Sequence, residues 1–99
     1  MKKKYRIKEI LHSGRRGIRN EPCTDEKYDD IRGRIGWVDI DEIKQFERYR
    51  IDLVSDNKFD WWTISEVFEL GVNRNTGDIQ IETANSIYML EALDNGEED

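Results

Sequence analysis

Three arginines, a tryptophan pair and one histidine–cysteine combination are the side chains whose types and spacing could do more than fill a core. Arg15, Arg16 and Arg19 lie in Ser13-Gly14-Arg15-Arg16-Gly17-Ile18-Arg19-Asn20. Glycines loosen that backbone, and planar guanidiniums can fork onto phosphates or carboxylates. The plainer alternative is a solvated loop whose arginines pair with Glu21, Asp25 and Glu26 just downstream. Trp61 and Trp62 are adjacent, so in a strand they point to opposite faces and one of them faces outward unless the loop of residues 13–30 covers it. An outward tryptophan is a natural anchor for a partner.

Nucleophilic catalysis needs a nucleophile, a base within reach and a group that orients the base. His12 is the only histidine and Cys23 the only cysteine, and their separation across a glycine-containing loop matches no catalytic motif. His12 is therefore expected to be a surface or structural residue, and Cys23, beside Pro22, an incidental exposed thiol. One cysteine also excludes an intramolecular disulfide. Carboxylate pairs such as Asp29-Asp30, Asp39-Asp41 and Glu97-Glu98 lack the apolar flanks that raise one pKa for acid work. Residues 25–30 lack the alternating oxygens and central glycine of a calcium loop, and Gly14 and Gly17 form no phosphate-binding fingerprint. The expectation is a protein that is not an enzyme, with no metal, no cofactor and no identifiable small-molecule substrate.

Charge is unevenly placed. The first twenty residues carry eight Lys/Arg against Glu9 alone, so they are at +7, while the rest of this 99-residue chain is at −13 and the whole at −6. Such a chain can hold its basic end against its own acidic body or offer it to an anionic partner. Nucleic acid approaching anywhere but the basic segment meets repulsion, which limits that reading to a short local contact. No window approaches the roughly 20 apolar residues of a membrane span. Charged residues also break any apolar run behind Met1-Lys2-Lys3-Lys4, so a cytoplasmic protein without membrane contact is expected.

The elements that must position these residues are short β-type runs separated by turn residues. Residues 3–11 alternate through Tyr5 and Ile7 until Ile10-Leu11 breaks the phase, which a bulge near Glu9 explains. Residues 13–30 are polar and broken by Gly14, Gly17, Asn20 and Pro22, the one long loop. Residues 31–40 carry Gly33 and Gly36, and Ile40 and Ile43 allow a single helical turn within 39–45. Residues 46–54 alternate cleanly, with Tyr49, Ile51 and Leu53 on one face and Arg48, Arg50 and Asp52 on the other. Residues 55–58 form a turn, and 59–67 are an ambiguous apolar patch. Runs at 66–72 and 78–83 flank a hairpin loop containing Gly77, and 87–93 continue in β-branched and aromatic residues. One domain over 1–93 is expected, followed by a disordered acidic tail over 94–99. Five or six antiparallel strands with one helical turn argue for a mainly-β, partly open small barrel.

Arg32-Gly33-Arg34-Ile35-Gly36-Trp37-Val38 resembles the glycine-punctuated strand of SH3-like barrels. Together with Thr83-Ala84-Asn85-Ser86-Ile87-Tyr88-Met89-Leu90-Glu91, it makes the chain similar to a group of small bacterial proteins of that kind. The resemblance covers fewer than twenty residues and implies an SH3-like fold without an activity. Many SH3-like barrels bind RNA or peptides, but no peptide-groove motif matches here, and the acidic body departs from the basic RNA-binding members. The reading is a non-catalytic binding module that contacts a protein partner, or itself as a homo-oligomer, through Arg15, Arg16, Arg19 and whichever of Trp61 and Trp62 faces outward. The alternative is a nucleic-acid accessory protein that binds through its basic N-terminal segment and arginine loop.

Overall fold

Alternation dictates most of what the computed structural model contains; it describes residues 1–55 and 60–93. The expected tail over 94–99 and most of the turn at 55–58 lie outside the described residues. Seven strands form one antiparallel sheet: β1 (Lys3–His12), β2 (Ile35–Val38), β3 (Tyr49–Leu53), β4 (Asp60–Ile64), β5 (Val67–Val72), β6 (Ile79–Thr83) and β7 (Ser86–Ala92). In β3, Tyr49, Ile51 and Leu53 are buried, and in β6 Ile79, Ile81 and Thr83 are, as a two-residue period requires of a sheet with one dry face. In β1 the phase is restored by a bulge at Lys8, where the register with β7 shifts between Ile7 and Glu9 so that Tyr5, Ile7 and Ile10 all face the core. A single 3-10 turn at Ile40–Glu42, begun by the Asp39 side chain accepting from the Asp41 amide, fulfils the helical expectation for 39–45.

Seven strands replace the expected five or six. The ambiguous patch over 59–67 holds the whole of β4 and the first residue of β5, and the final apolar run is β7. The strand order is β4-β3-β2-β1-β7-β6-β5, and the sheet is not closed into a barrel. Each neighbouring pair is antiparallel, so β4 and β5 run in the same direction. Only Ser65 and Glu66 separate them. The chain therefore leaves one free edge and enters the other by continuing onward. Two segments placed end to end in this way cannot pair side by side, so the seam stays open. At β2, Gly36 admits the close approach of β3, because a Cβ there would overlap Cγ2 of Ile51. No helix among the described residues is long and apolar enough to cross a membrane.

Candidate functional site

β2 is too short to cover β1, and that shortfall shapes the first candidate region. β2 pairs with residues 3–6 of β1. Ile7 then exchanges backbone bonds with Gly33 and Arg34 (2.7 and 2.8 Å), and the end of the strand is completed by the loop doubling back on it. The His12 amide donates to the Glu21 carbonyl (2.8 Å), the Asn20 amide to His12 (2.9 Å) and the Cys23 amide to Ile10 (2.9 Å). Asn20 takes the left-handed conformation at the reversal, with φ 72°. Backbone groups of β1 that would otherwise be orphaned are thus satisfied, and the 13–30 segment is ordered by them. It also contains a short helical turn, α1 (Glu26–Asp29). Arg32 fastens the arrangement: its guanidinium donates to Glu9 (2.6 Å), to Asp29 (2.8 Å), and to the carbonyls of Ile10 and Cys23. Burial pushes the Glu9 carboxyl up, but the Ile10 amide and Arg32 outweigh it and hold it below the usual carboxylate range.

This doubling back corrects the expectation of an exposed thiol at Cys23. Cys23 is buried, at 3 % exposure, and its Sγ lies 3.6 Å from Nδ1 of His12. Burial pushes the thiol up, against the Ser86 hydroxyl and Arg32, which pull it down. The imidazole is overlaid by Gly17, where a Cβ would come within 2.5 Å of the ring, so this glycine is required by packing against His12. Around the pair opens a cavity of about 330 Å³, also lined by Arg16, Asp25, Lys27, Asn85 and Ser86. Beneath it a polar chain runs inward. The Ser86 and Tyr28 hydroxyls are 3.1 Å apart, and Tyr28 stacks edge-on to Tyr88 and tilted against Trp62. The Trp62 indole donates to the Tyr88 hydroxyl (3.1 Å).

The arginine loop divides. Arg19 donates twice to Glu82 on β6 (2.9 Å each) and to the Ser13 carbonyl (2.7 Å), so its partner is a residue far along the chain and none of Glu21, Asp25 or Glu26. Arg15 and Arg16 are exposed and make no ion pair among the described residues. The loop does not join the tryptophans in one patch, because it anchors on β6 and lines the cavity beside β7, whereas Trp61 lies on the free edge β4.

The second region is the outer face of β1–β4. Register places Lys4, Trp37, Asp52 and Trp61 in one cross-strand row. With strands about 4.8 Å apart, the two indoles are separated by roughly 10 Å. Trp61 is 53 % exposed and Trp37 36 %. Trp62, one residue on, turns inward and packs against the core. Cations flank both exposed rings: Lys4 Nζ is 5.2 Å from the centroid of Trp37, and the Arg50 guanidinium 5.7 Å from that of Trp61. Asp52 between them is bonded to Lys2 (3.0 Å) and paired with Arg50 (3.3 Å).

The sequence singles out Trp61 and Trp62 without fixing which faces outward, and the registers of β2–β3 and β3–β4 put Trp37 in one row with Trp61. Sequence reasoning misses Phe46, exposed and in the left-handed conformation (φ 67°), its ring 6.3 Å from that of Phe68. Phe46 belongs to the segment that caps the start of β5: its amide donates to the Val67 carbonyl (2.6 Å), and the Val67 amide donates to Glu47 (3.0 Å). A larger depression of about 430 Å³ on β5–β7 is lined by Glu69, Asp78 and Glu82 and contains no nucleophile beside a base. Among the described residues no group of three or more His, Cys, Asp or Glu side chains is placed to hold a metal ion. No family model, curated protein or solved structure matches the chain.

Proposed function

We propose that this protein is a non-catalytic binding module that docks a protein partner on the outer face of β1–β4, with Trp61 and Trp37 as the anchors. The observation that carries this is the position of Trp61: half-exposed, backed by Arg50, on a strand whose outer edge has no neighbouring strand among the described residues. A free edge offers main-chain hydrogen bonds to an added strand, and aromatic anchors give such an addition its specificity. Among the described residues on this face, Lys2, Lys4, Arg6 and Arg50 outnumber Asp52 and Glu91. A partner segment with acidic side chains therefore fits better than a second copy, which brings the same cations.

Trp61→Ala is expected to abolish partner capture from native lysate, and any self-association seen by sedimentation, while leaving the far-UV spectrum unchanged. Identical captured proteins and identical sedimentation for wild type and variant reject the proposal. A second reading, short contacts to a nucleic acid, is supported by Arg15 and Arg16, exposed and without an ion pair among the described residues, and by the cations beside the indole rings. It requires binding that weakens with salt and is lost when Arg15, Arg16 and Arg19 become Ala.

A further inference from the structure

The far edge of the sheet offers what the Trp61 face requires of a partner. The Val54 amide donates to the Ile35 carbonyl (2.8 Å), so by alternation Leu53 and Ile51 turn their backbone groups toward β4. Trp62 meets them opposite Ile51, and Trp61 and Thr63 therefore aim their amides and carbonyls away from the sheet. The same alternation holds at the other end. The Asn73 amide donates to Asp78 (2.8 Å), two residues beyond the pairing of Gly71 with Gln80, so Leu70 and Val72 aim theirs outward. The segment at 45–47 covers this edge at Val67 and Phe68. Among the described residues, no strand lies outside β4 or β5.

The two edges are opposite in charge and in relief. Leu70 packs toward the core, so Gly71 faces out and lines the depression of about 430 Å³ on β5–β7. A Cβ on Gly71 would meet nothing within 4 Å, which leaves open space above its backbone. Glu69 beside it is exposed and in no ion pair among the described residues, and Asp78 and Glu82 line the same depression, with Arg19 bound to Glu82. The β4 edge presents the reverse, a half-exposed indole backed by the Arg50 cation.

We propose that β4 of one molecule adds in parallel to β5 of a second copy, with the Trp61 indole over Gly71 and the Arg50 guanidinium beside Glu69 of that copy. This rests on the reading of the Trp61 face as a docking face and names its partner. Two copies meeting cationic face to cationic face repel, whereas the far edge of a second copy is an acidic segment of the kind that face fits. Because β4 and β5 run in the same direction, the two sheets continue as one with both outer faces on the same side. With Trp61 opposite Gly71, the Trp61 amide donates to the Leu70 carbonyl and the Val72 amide to the Trp61 carbonyl. A large ring laid over an edge glycine covers backbone that the glycine leaves bare. The contact is heterologous, so each added copy presents a fresh β4 edge and association runs on as an open chain.

Equilibrium sedimentation of the full chain is expected to show an average mass that rises with concentration past that of a dimer and falls as salt is added. Trp61→Ala and Gly71→Lys, both at exposed positions, should each weaken association on the order of thirtyfold with far-UV spectra unchanged. Glu69→Lys tests the same edge should Gly71→Lys not fold. The deciding sample is the mixture of Trp61→Ala with Gly71→Lys. The first keeps an intact β5 edge and the second an intact β4 edge, so together they form a one-to-one dimer that neither forms alone and that grows no further. A native chain that is monomeric up to about 1 mM, a native assembly that stops at a dimer, or a mixture that stays monomeric overturns the inference. If one of these results is joined by loss of lysate capture in Trp61→Ala, the docking face stands and only this occupant is removed. Capture unchanged in Trp61→Ala removes both.

Discussion

The β4 edge and the cavity at the end of β1 are positioned by different forces, and the difference decides how each responds to change. At the edge, cross-strand register sets which side chains face out, and the exposed ring can be removed without touching the core. At the cavity, backbone hydrogen bonds of a returning loop bring His12 to Cys23, so the site and the local fold share their bonds.

The adjacent tryptophans give the largest contrast. Trp62→Ala removes a ring that packs against the core and takes away the indole donor to the Tyr88 hydroxyl. It should lower stability by about 3 kcal/mol. Trp61→Ala should change it by less than about 0.5 kcal/mol, as exposed positions do. Urea unfolding of both measures this, and equal losses would erase the distinction between the edge and the interior. Gly36→Ala comes next, at about 1–3 kcal/mol, because the new methyl overlaps Ile51 and pushes β2 from β3. Its NMR shift changes should centre on the Trp37–Asp52–Trp61 row and leave Cys23 alone.

Tyr28→Phe should cost about 1 kcal/mol by removing the hydroxyl that meets Ser86. Its shift changes should run toward the cavity and spare the tryptophan row. The smallest effect belongs to Arg19→Ala, because its ion pair lies at the surface, where solvent screens it. Its pH dependence has a definite sign. Arg19, hydrogen-bonded to Glu82, holds that carboxyl below its ordinary value against an opposing desolvation. The pair's contribution is full above the unfolded Glu pKa, near about 4.3, and is lost as pH falls through the depressed folded value. Thermal melts of wild type and Arg19→Ala should therefore differ at neutral pH and converge in acid. A gap that widens in acid contradicts the assignment.

What could be read from the chain alone follows the same division. The buried faces of β3 and β6 are written in two-residue alternation, and the break at Ile10-Leu11 announces the bulge at Lys8. The 3-10 turn follows from Ile40 and Ile43. Alternation alone leaves open which of Trp61 and Trp62 faces inward, because that depends on pairing Trp62 with Ile51 and on the Tyr88 hydroxyl. The meeting of His12 with Cys23 left no side-chain pattern to find, since it is made by the amides and carbonyls of residues 10–23, and main-chain groups are alike at every position.

The longest pairing in the sheet joins its first strand to its last: Tyr5 lies opposite Ala92, and His12 opposite Ser86. Until β7 has been made, the flank of β1 that pairs with it has no partner strand. Assembly from such distant parts is slow for a domain of this size. In the meantime Tyr5, Ile7 and Ile10 stand on a segment that Lys3, Lys4, Arg6 and Lys8 keep strongly charged, which disfavours its pairing with other chains.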